Sequence, residues 1–140
     1  MLKFLQKNIL YIAWVQALIA LSGSLYFSEI RHFTPCILCW YQRILMYPLV
    51  IIIGVGIFRK DKLLYQYVLP LSILGTLIAF YHVLLQNGIL PEAVAPCILG
   101  ASCTIKYIGY FGFITIPVMS LTVFLMITIC MYIFKKTNKK

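Results

Sequence analysis

The sequence predicts an all-α integral membrane protein, a bundle of four transmembrane helices with both termini in the cytoplasm. Three observations lead to this prediction. The 140 residues are 63% hydrophobic and only 11% charged, a composition too apolar for a soluble domain of this size. Four apolar spans each have about the 20 residues that a helix needs to cross a membrane. The basic residues cluster in short groups at the ends of these spans, as topology signals do.

The four spans cover residues 9–27, 40–58, 64–85 and 111–134 of one predicted domain, residues 1–140. Backbone groups in lipid must be paired internally, and the spans lack the alternating polarity of membrane β-strands, so each is expected to be a helix. The first span could instead be a cleaved signal peptide, since Ser22-Gly23-Ser24 offers small residues. Its apolar run continues to Phe27, which favours an uncleaved helix.

The basic residues predict the orientation. Nine of the twelve fall on one side if the spans alternate in direction, namely Lys3, Lys7, Arg59, Lys60, Lys62, Lys135, Lys136, Lys139 and Lys140. The positive-inside rule then assigns both chain ends to the cytoplasm and the stretches 28–39 and 86–109 to the extracytoplasmic side. The net charge of +9 is therefore interpreted as a membrane topology signal, with the lipid bilayer as partner, and not as nucleic-acid binding.

Four of the five cysteines lie at or beyond the outer membrane face: Cys36, Cys39, Cys97 and Cys103. Thiols there meet an oxidising compartment, in which disulfides persist. Proximity in the sequence favours the pairs Cys36–Cys39 and Cys97–Cys103, although four cysteines permit three connectivities. Cys130 lies deep in the fourth span and is expected to be an inert buried thiol.

The first cysteine pair stands at the predicted start of the second helix. Thr34 suits the N-cap and Pro35 the first helical position, so Cys36 and Cys39 share one face of the first turns. The positive end of the helix dipole favours a reactive thiolate at this position. Half a zinc site and a structural disulfide are the alternative interpretations of an isolated Cys-x-x-Cys pair.

The second outer loop is rich in turn and breaker residues, which are Asn87, Gly88, Pro91, Pro96, Gly100 and Ser102. This composition predicts that Cys97 and Cys103 lie on irregular, accessible backbone. A disulfide there suits exchange with another protein, and the alternative is a staple that only closes the loop.

Two polar residues are predicted in the outer leaflet near the first cysteine pair. Arg43 lies about one turn inside the second helix, where a cation is costly unless it reaches the interface or pairs. His82 lies about one turn from the outer end of the third helix. Arg43 could snorkel and His82 could be an interfacial anchor, but their common depth also suits a site for an anionic or carbonyl-bearing cofactor next to Cys39.

Oxidation of protein dithiols needs an acceptor for two electrons. An outer disulfide can accept them through a mixed disulfide, and a second disulfide can relay them inward. A membrane quinone is lipid-soluble and reachable from the outer leaflet, and Arg43 could polarise its carbonyl.

The sequence resembles the disulfide bond formation protein B family (DsbB), and most closely its short Gram-positive branch of the BdbC type. The resemblance rests on Cys36-Ile37-Leu38-Cys39-Trp40-Tyr41-Gln42-Arg43, on Tyr81-His82-Val83-Leu84-Leu85-Gln86, on Cys97 and Cys103, and on Phe111-Gly112 leading to Pro117.

The resemblance implies a thiol:quinone oxidoreductase that reoxidises an extracytoplasmic thioredoxin-like thiol-disulfide oxidase and feeds the quinone pool and respiratory chain. A menaquinone fits the Gram-positive branch. By position, Cys36 and Cys39 would be the quinone-coupled pair, with Arg43 and His82 beside Cys39. Cys97 would form the mixed disulfide with the partner, and Cys103 would receive the attack from Cys36.

Two departures from the better-known Gram-negative members bear on these roles. Only five residues separate Cys97 from Cys103 here, whereas those members have a much longer segment between the two cysteines. The way in which Cys103 meets Cys36 therefore does not follow from the resemblance. Gln42 stands where those members carry a glutamate.

Two other functions fit the same cysteines. One is a membrane protein that binds a metal through four outer thiolates, although a Cys-x₅-Cys spacing is looser than usual for zinc. The other is a structural tetraspan protein with two staple disulfides.

Overall fold

The computed structural model describes residues 1–32, 34–91, 102–104 and 115–139, and it contains four long helices in these ranges. The helices are α1 (Leu2–Leu25), α2 (Ile37–Arg59), α3 (Leu64–Gln86) and α4 (Ile116–Asn138). Each is long and apolar enough to cross a membrane, and the described ranges include no β-strand. The predicted all-α, four-helix membrane fold is therefore confirmed, while the assignment of residues 1–140 to a single domain stays a prediction.

The first helix is longer than the predicted span at both ends. It begins at Leu2 and not at residue 9, and a π-helical turn, Tyr26–Ile30, continues it. The hydropathy pattern delimits only the part that crosses lipid, whereas the helix also includes the more polar turn around Lys7.

The second helix begins two residues later than Thr34 and Pro35 predict. Cys36 is its N-cap, with extended backbone at φ −72° and ψ 167°, so the predicted N-cap Thr34 is wrong. A cysteine at this position lies over the free N–H groups of the first turn, which carry the positive end of the helix dipole.

The fourth helix begins at Ile116, and its N-cap Thr115 is extended, so the predicted start at residue 111 is too early. Pro117 occupies the first turn, where proline lacks only an N–H that would have no partner in the helix. At the other end the helix runs past the predicted residue 134 to Asn138, and Lys135 and Lys136 in its last turn complement the negative end of the dipole.

The helices form a closed antiparallel bundle in which α1 packs against α2 and α4, and α3 also packs against α2 and α4. A short turn joins α2 to α3. Lys60 adopts a left-handed conformation there (φ 53°, ψ 40°), and Asp61 N–H donates to the Gly56 carbonyl at 3.0 Å, as in a Schellman motif. Such a short connection forces α2 and α3 to run antiparallel.

Small residues allow close helix packing at two points, as is common in membrane bundles. Gly75 of α3 faces the ring of the fully buried Phe124 of α4, and Gly56 of α2 faces Leu64 of α3. Trp14 of α1 donates through Nε1 to the Val50 carbonyl of α2 at 3.1 Å. The antiparallel order leaves the end of α1, the start of α2, the end of α3 and the start of α4 together at one end of the bundle.

Candidate active site

The first cysteine pair lies at that end of the bundle. The Sγ atoms of Cys36 and Cys39 are 3.1 Å apart, and both residues are free thiols. A disulfide bond joins sulfur atoms at about 2.05 Å, so the two side chains need only a small approach when a two-electron acceptor oxidises the pair. The structure presents the reduced pair, and the Cys36–Cys39 disulfide stays a prediction.

His82 of α3 reaches across to this pair. Its side chain is 2% exposed, and its Nε2 lies 3.7 Å from the Cys36 sulfur and 3.3 Å from the Cys103 carbonyl oxygen. Its other ring nitrogen, Nδ1, lies 3.2 Å from the side-chain amide nitrogen of Gln42. The histidine therefore contacts α2 on one side and the outer loop on the other.

Cys103 brings the second cysteine pair to the first. It takes part in a disulfide, and its sulfur, the Cys36 sulfur and a ring nitrogen of His82 all lie within 4.8 Å of one another. Its predicted partner, Cys97, lies outside the described residues. Cys103 is only 1% exposed, so the prediction of an accessible position is wrong for this cysteine. Packing against Leu38 and Leu85 buries it.

The environment of Cys36 favours its thiolate. The pKa of this thiol is lowered from 9.0 to about 4, chiefly because the ionised sulfur accepts a hydrogen bond from the Cys39 thiol, with His82 adding to the effect. Burial acts in the opposite direction, since it disfavours the charged form. A thiolate is the nucleophile of thiol–disulfide exchange, so Cys36 is prepared to attack or leave at neutral pH.

Arg43 of α2 donates hydrogen bonds to Ser24 of α1. Its Nε donates to the Ser24 hydroxyl at 2.8 Å, and its Nη2 donates to the Ser24 carbonyl at 2.8 Å. The guanidinium also lies 5.7 Å from the centre of the Trp40 ring, within the range of a cation–π contact. These contacts offset the cost of a cation in an apolar span and fix the direction of its remaining N–H groups.

A cavity of about 830 Å³ opens beside these residues, between the helices. Most of its wall is apolar, and polar groups enter at a few points. The lining residues with polar or sulfur-bearing side chains include Gln16, Ser24, Cys36, Cys39, Gln42, Arg43, His82 and Cys103. A largely apolar cavity with a few convergent polar groups is typical of a site for a small, hydrophobic ligand.

The same cluster bears on the metal-binding alternative. Cys36, His82 and Cys103 offer three ligand atoms at distances that a metal ion could bridge. The Cys103 sulfur is part of a disulfide, however, and a cysteine sulfur binds metal well only as a thiolate. Among the described residues, the cluster is thus better suited to sulfur exchange than to metal binding.

Sequence reasoning did not assign Gln42, Ser24 or Gln16 to this site. The contact of Gln42 with His82, that of Ser24 with Arg43, and the position of Gln16, whose Oε1 is buried without a hydrogen-bond partner, all depend on packing between helices. A polar side chain within an apolar span was the available signal, because such residues usually face the bundle interior.

Comparison with known protein families decides the kind of protein. The model of the family described as "Disulfide bond formation protein DsbB" matches residues 6–134. The chain belongs to the DsbB family. Membership in this family implies an oxidoreductase that forms disulfide bonds at a membrane.

Named relatives agree with this assignment. The DsbB-family chain is 52% identical to disulfide bond formation protein C of Bacillus subtilis (strain 168), an alignment that covers 90% of this chain and 91% of the relative. It is 43% identical to probable disulfide formation protein C 1 of Bacillus anthracis, with 95% and 96% covered. It is 35% identical to a probable disulfide formation protein of Metapseudomonas resinovorans, with 92% and 90% covered.

These relatives confirm the predicted resemblance to the BdbC type. No solved structure matches the chain.

Proposed function

We propose that this protein is a thiol:quinone oxidoreductase of the bacterial plasma membrane. It reoxidises an extracytoplasmic thioredoxin-like dithiol oxidase, passes the electrons to a membrane quinone and so supports disulfide formation in exported proteins. One observation carries the proposal: the Cys36, Cys103 and His82 cluster lies at the wall of the largely apolar cavity that Arg43 also lines.

The two cysteine pairs exchange through a bond between Cys36 and Cys103. The reduced partner attacks Cys97 of the Cys97–Cys103 disulfide, which forms a mixed disulfide and releases Cys103 as a thiolate. This thiolate attacks Cys36 of an oxidised Cys36–Cys39 pair, so a Cys36–Cys103 bond forms and Cys39 leaves as a thiolate. The second thiol of the partner then attacks the mixed disulfide, which releases the oxidised partner and the Cys97 thiolate, so the two electrons are held by the Cys97 and Cys39 thiolates. Attack of Cys97 on Cys103 restores the Cys97–Cys103 disulfide and leaves Cys36 and Cys39 as the reduced pair that the quinone would reoxidise. When the first pair is reduced instead, attack of the Cys36 thiolate on Cys103 breaks the Cys97–Cys103 disulfide, makes the same Cys36–Cys103 bond and releases Cys97 as a thiolate.

The distances suit this exchange without a long loop. The Cys36 and Cys103 sulfur atoms lie within 4.8 Å, and the buried Cys103 needs only a small approach to reach bonding distance. The short spacing of Cys97 and Cys103 is therefore compatible with a relay between the loops.

The cavity residues fit a quinone. Bound there, it would supply a two-electron acceptor at the edge of the bilayer. Arg43 uses Nε and one Nη2 hydrogen on Ser24, which leaves other guanidinium N–H groups to donate to a carbonyl and stabilise negative charge on its oxygen. The apolar wall excludes water and would accommodate an isoprenoid tail. The Gram-positive relatives favour a menaquinone.

The orientation belongs to the same proposal. The lysine-rich ends of the helices lie at the opposite end of the bundle from Cys36 and Cys103, which follows from the antiparallel order of α1 to α4. By the positive-inside rule the cysteine cluster faces the extracytoplasmic side and both termini face the cytoplasm.

The test is quinone reduction by the purified protein in detergent, with a reduced thioredoxin-like dithiol protein as electron donor. Naphthoquinone and benzoquinone analogues are compared as acceptors. We expect wild type and the control variant Cys130→Ser, whose thiol lies about 20 Å along α4 from the outer end, to form quinol. We expect Cys36→Ser and Cys97→Ser to form none.

Quinol formation by Cys36→Ser would contradict the proposal. If Cys36→Ser loses activity and Cys97→Ser does not, the protein is still a quinone-reducing oxidase, but the Cys97–Cys103 pair is not on the electron path. If no variant forms quinol and Cys103 stays oxidised throughout, the second disulfide is a structural staple.

A further inference from the structure

A buried glutamine stands within the apolar stretch of α2. Gln42 is 6% exposed, and a buried side-chain amide is costly unless its polar atoms find partners. Its amide nitrogen has one at 3.2 Å, Nδ1 of His82. Gln42 contacts the histidine on the side away from the cysteine cluster, so it acts on that cluster only through the imidazole.

The partners of the imidazole decide which of its nitrogens carries the proton. A neutral histidine has one N–H donor and one acceptor nitrogen. Nε2 lies 3.3 Å from the carbonyl oxygen of Cys103, which can only accept, so Nε2 carries the hydrogen. Nδ1 is then the acceptor, and the Gln42 amide donates to it.

This tautomer directs an N–H group at the reactive sulfur. The Cys36 Sγ lies 3.7 Å from Nε2, so the same hydrogen is shared between the Cys103 carbonyl and the Cys36 thiolate. In the opposite tautomer, a lone pair on Nε2 would face both the carbonyl oxygen and the negative sulfur, and both contacts would be repulsive.

We infer that Gln42 is a positioning residue that, together with the Cys103 carbonyl, fixes the Nε2–H tautomer of His82 and thereby stabilises the Cys36 thiolate. This inference rests on the proposed function for its biological meaning, since Cys36 is the sulfur that exchanges with Cys103. Because glutamine is neutral, it orients the imidazole without adding a charge of its own to the cluster.

Other titratable groups also face Cys36 or lie near it. Cys39 of α2 lies 3.1 Å away, and Arg43 lines the same cavity. The outer loop contributes Cys103, which does not titrate while it is disulfide-bonded. Substitution of Gln42 changes none of these groups, so its effect on Cys36 is attributable to His82.

The tautomer can be read directly by nitrogen-15 NMR of the histidine side chains. The chain has two histidines, and His32 is exposed and distant in sequence, so a His32→Gln background leaves His82 as the only signal. At neutral pH we expect a protonated Nε2 and an unprotonated Nδ1. In Gln42→Met, which keeps the length of the side chain but removes the amide, we expect the two tautomers to mix.

Alkylation of Cys36, followed at this residue by mass spectrometry, measures the consequence in protein whose Cys36–Cys39 pair is reduced and whose Cys103 disulfide is intact. At pH values below the alkylation midpoint of Cys36 we expect the rate to fall about tenfold in Gln42→Met, as for loss of one hydrogen bond to a charged group. Gln42→Glu retains the Nε2–H group, because its carboxylate accepts from an Nδ1–H in a doubly protonated ring, so the rate should stay at or above that of wild type. A purely structural role would slow both variants alike.

An Nδ1–H tautomer in the His32→Gln protein, or an unchanged nitrogen spectrum in Gln42→Met, would overturn the inference. Equal alkylation rates in Gln42→Met and in the parent protein would do so as well. None of these readouts uses a quinone or a partner protein, so failure of the proposed function would leave this test unaffected.

Discussion

Arg43 illustrates how single residues in this protein act through a neighbour on another helix. Two hydrogen bonds to Ser24 and a contact with Trp40 hold its guanidinium. Its depth in the membrane can be predicted from the sequence, because the position of a charge within an apolar span is a matter of counting. Its partner cannot, because Ser24 is nineteen residues earlier and only the packing of α1 against α2 brings the two together.

The pairing of Arg43 predicts an effect of Ser24 on the proposed reduction of a quinone. Replacing Ser24 with alanine removes the hydrogen bond that Arg43 Nε donates to the Ser24 hydroxyl, so the guanidinium can reorient. We expect the KM for quinone to rise about fivefold, equivalent to about 1 kcal/mol, with a smaller change in kcat. Arg43→Gln should raise it further. Steady-state quinol formation measures both.

Ser22 provides the matched control, as an exposed serine on the same helix. Ser22→Ala should keep the wild-type KM. Equal KM values for Ser24→Ala and Ser22→Ala would mean that the contact with Ser24 does not orient Arg43 toward the quinone.

Cys36 gives a second prediction at the scale of the residue. The pKa of its thiol is lowered to about 4, with Cys39 as the largest cause, so the thiolate is present above that pH and is lost as the pH falls through it. Replacing Cys39 with alanine removes the largest cause and should move the alkylation midpoint of Cys36 upward. At pH values below both midpoints, each pH unit of that shift lowers the rate about tenfold.

The pH profile of iodoacetamide labelling in reduced protein, resolved by mass spectrometry, measures the midpoint. Cys130→Ser is the control and should keep the profile of the wild type. A midpoint in Cys39→Ala at or below that of wild type would show that Cys39 does not stabilise the thiolate.

At the scale of the helices, hydropathy predicts the elements well and their ends poorly. The apolar cores of all four spans lie inside observed helices. The errors fall where the chain leaves the lipid: α2 starts at Ile37 because Cys36 takes the cap, and α4 starts at Ile116 because Thr115 is extended. Local hydrogen bonds and proline geometry determine these ends, and an average over about twenty residues does not resolve them.

The contact of α3 with α4 gives a prediction for the bundle. A methyl group on Gly75 would overlap the Phe124 ring, which is fully buried and cannot move aside. Gly75→Ala should therefore destabilise the protein by about 1–3 kcal/mol, as overpacked cores do. Thermal unfolding in detergent micelles measures the loss.

Gly23→Ala is the control, because a Cβ there would meet nothing within 4 Å and alanine is the better helix former. The double variant Gly75→Ala/Phe124→Leu should recover part of the loss. If Gly75→Ala is as stable as Gly23→Ala, the close approach of α3 and α4 does not limit stability.

At the scale of the whole molecule, the antiparallel bundle brings together residues that are far apart in the chain. Cys36 lies 46 residues from His82, and Cys103 is a further 21 residues on. The sequence predicts that these side chains share one membrane face, since Cys36 and His82 lie near the outer ends of their spans and Cys103 lies in an outer loop. Their mutual contact and the burial of Cys103 depend on the fold, and no local pattern encodes them.

The orientation in the membrane is a prediction for the intact cell. Variants with a cysteine at Ile89, which is exposed at the cysteine end, and at Lys60, in the turn at the other end, are treated with a membrane-impermeant maleimide. We expect labelling of Ile89→Cys in intact cells, and of Lys60→Cys only after the membrane is broken. The parent protein, treated in parallel, corrects for labelling of the native cysteines. The reverse pattern would invert the topology and remove the cysteine cluster from the oxidising side.

The cavity wall includes Ile12, Val15 and Ile19 of α1, all of which are exposed on the bundle surface and so face lipid in a membrane. A hydrophobic molecule can therefore enter sideways, by diffusion in two dimensions. The quantity that governs occupancy is then its mole fraction in the bilayer and not its concentration in water. Adding empty micelles at constant total quinone should raise the apparent KM through surface dilution. Inhibitors of this site would rank by their partition into lipid as much as by their fit.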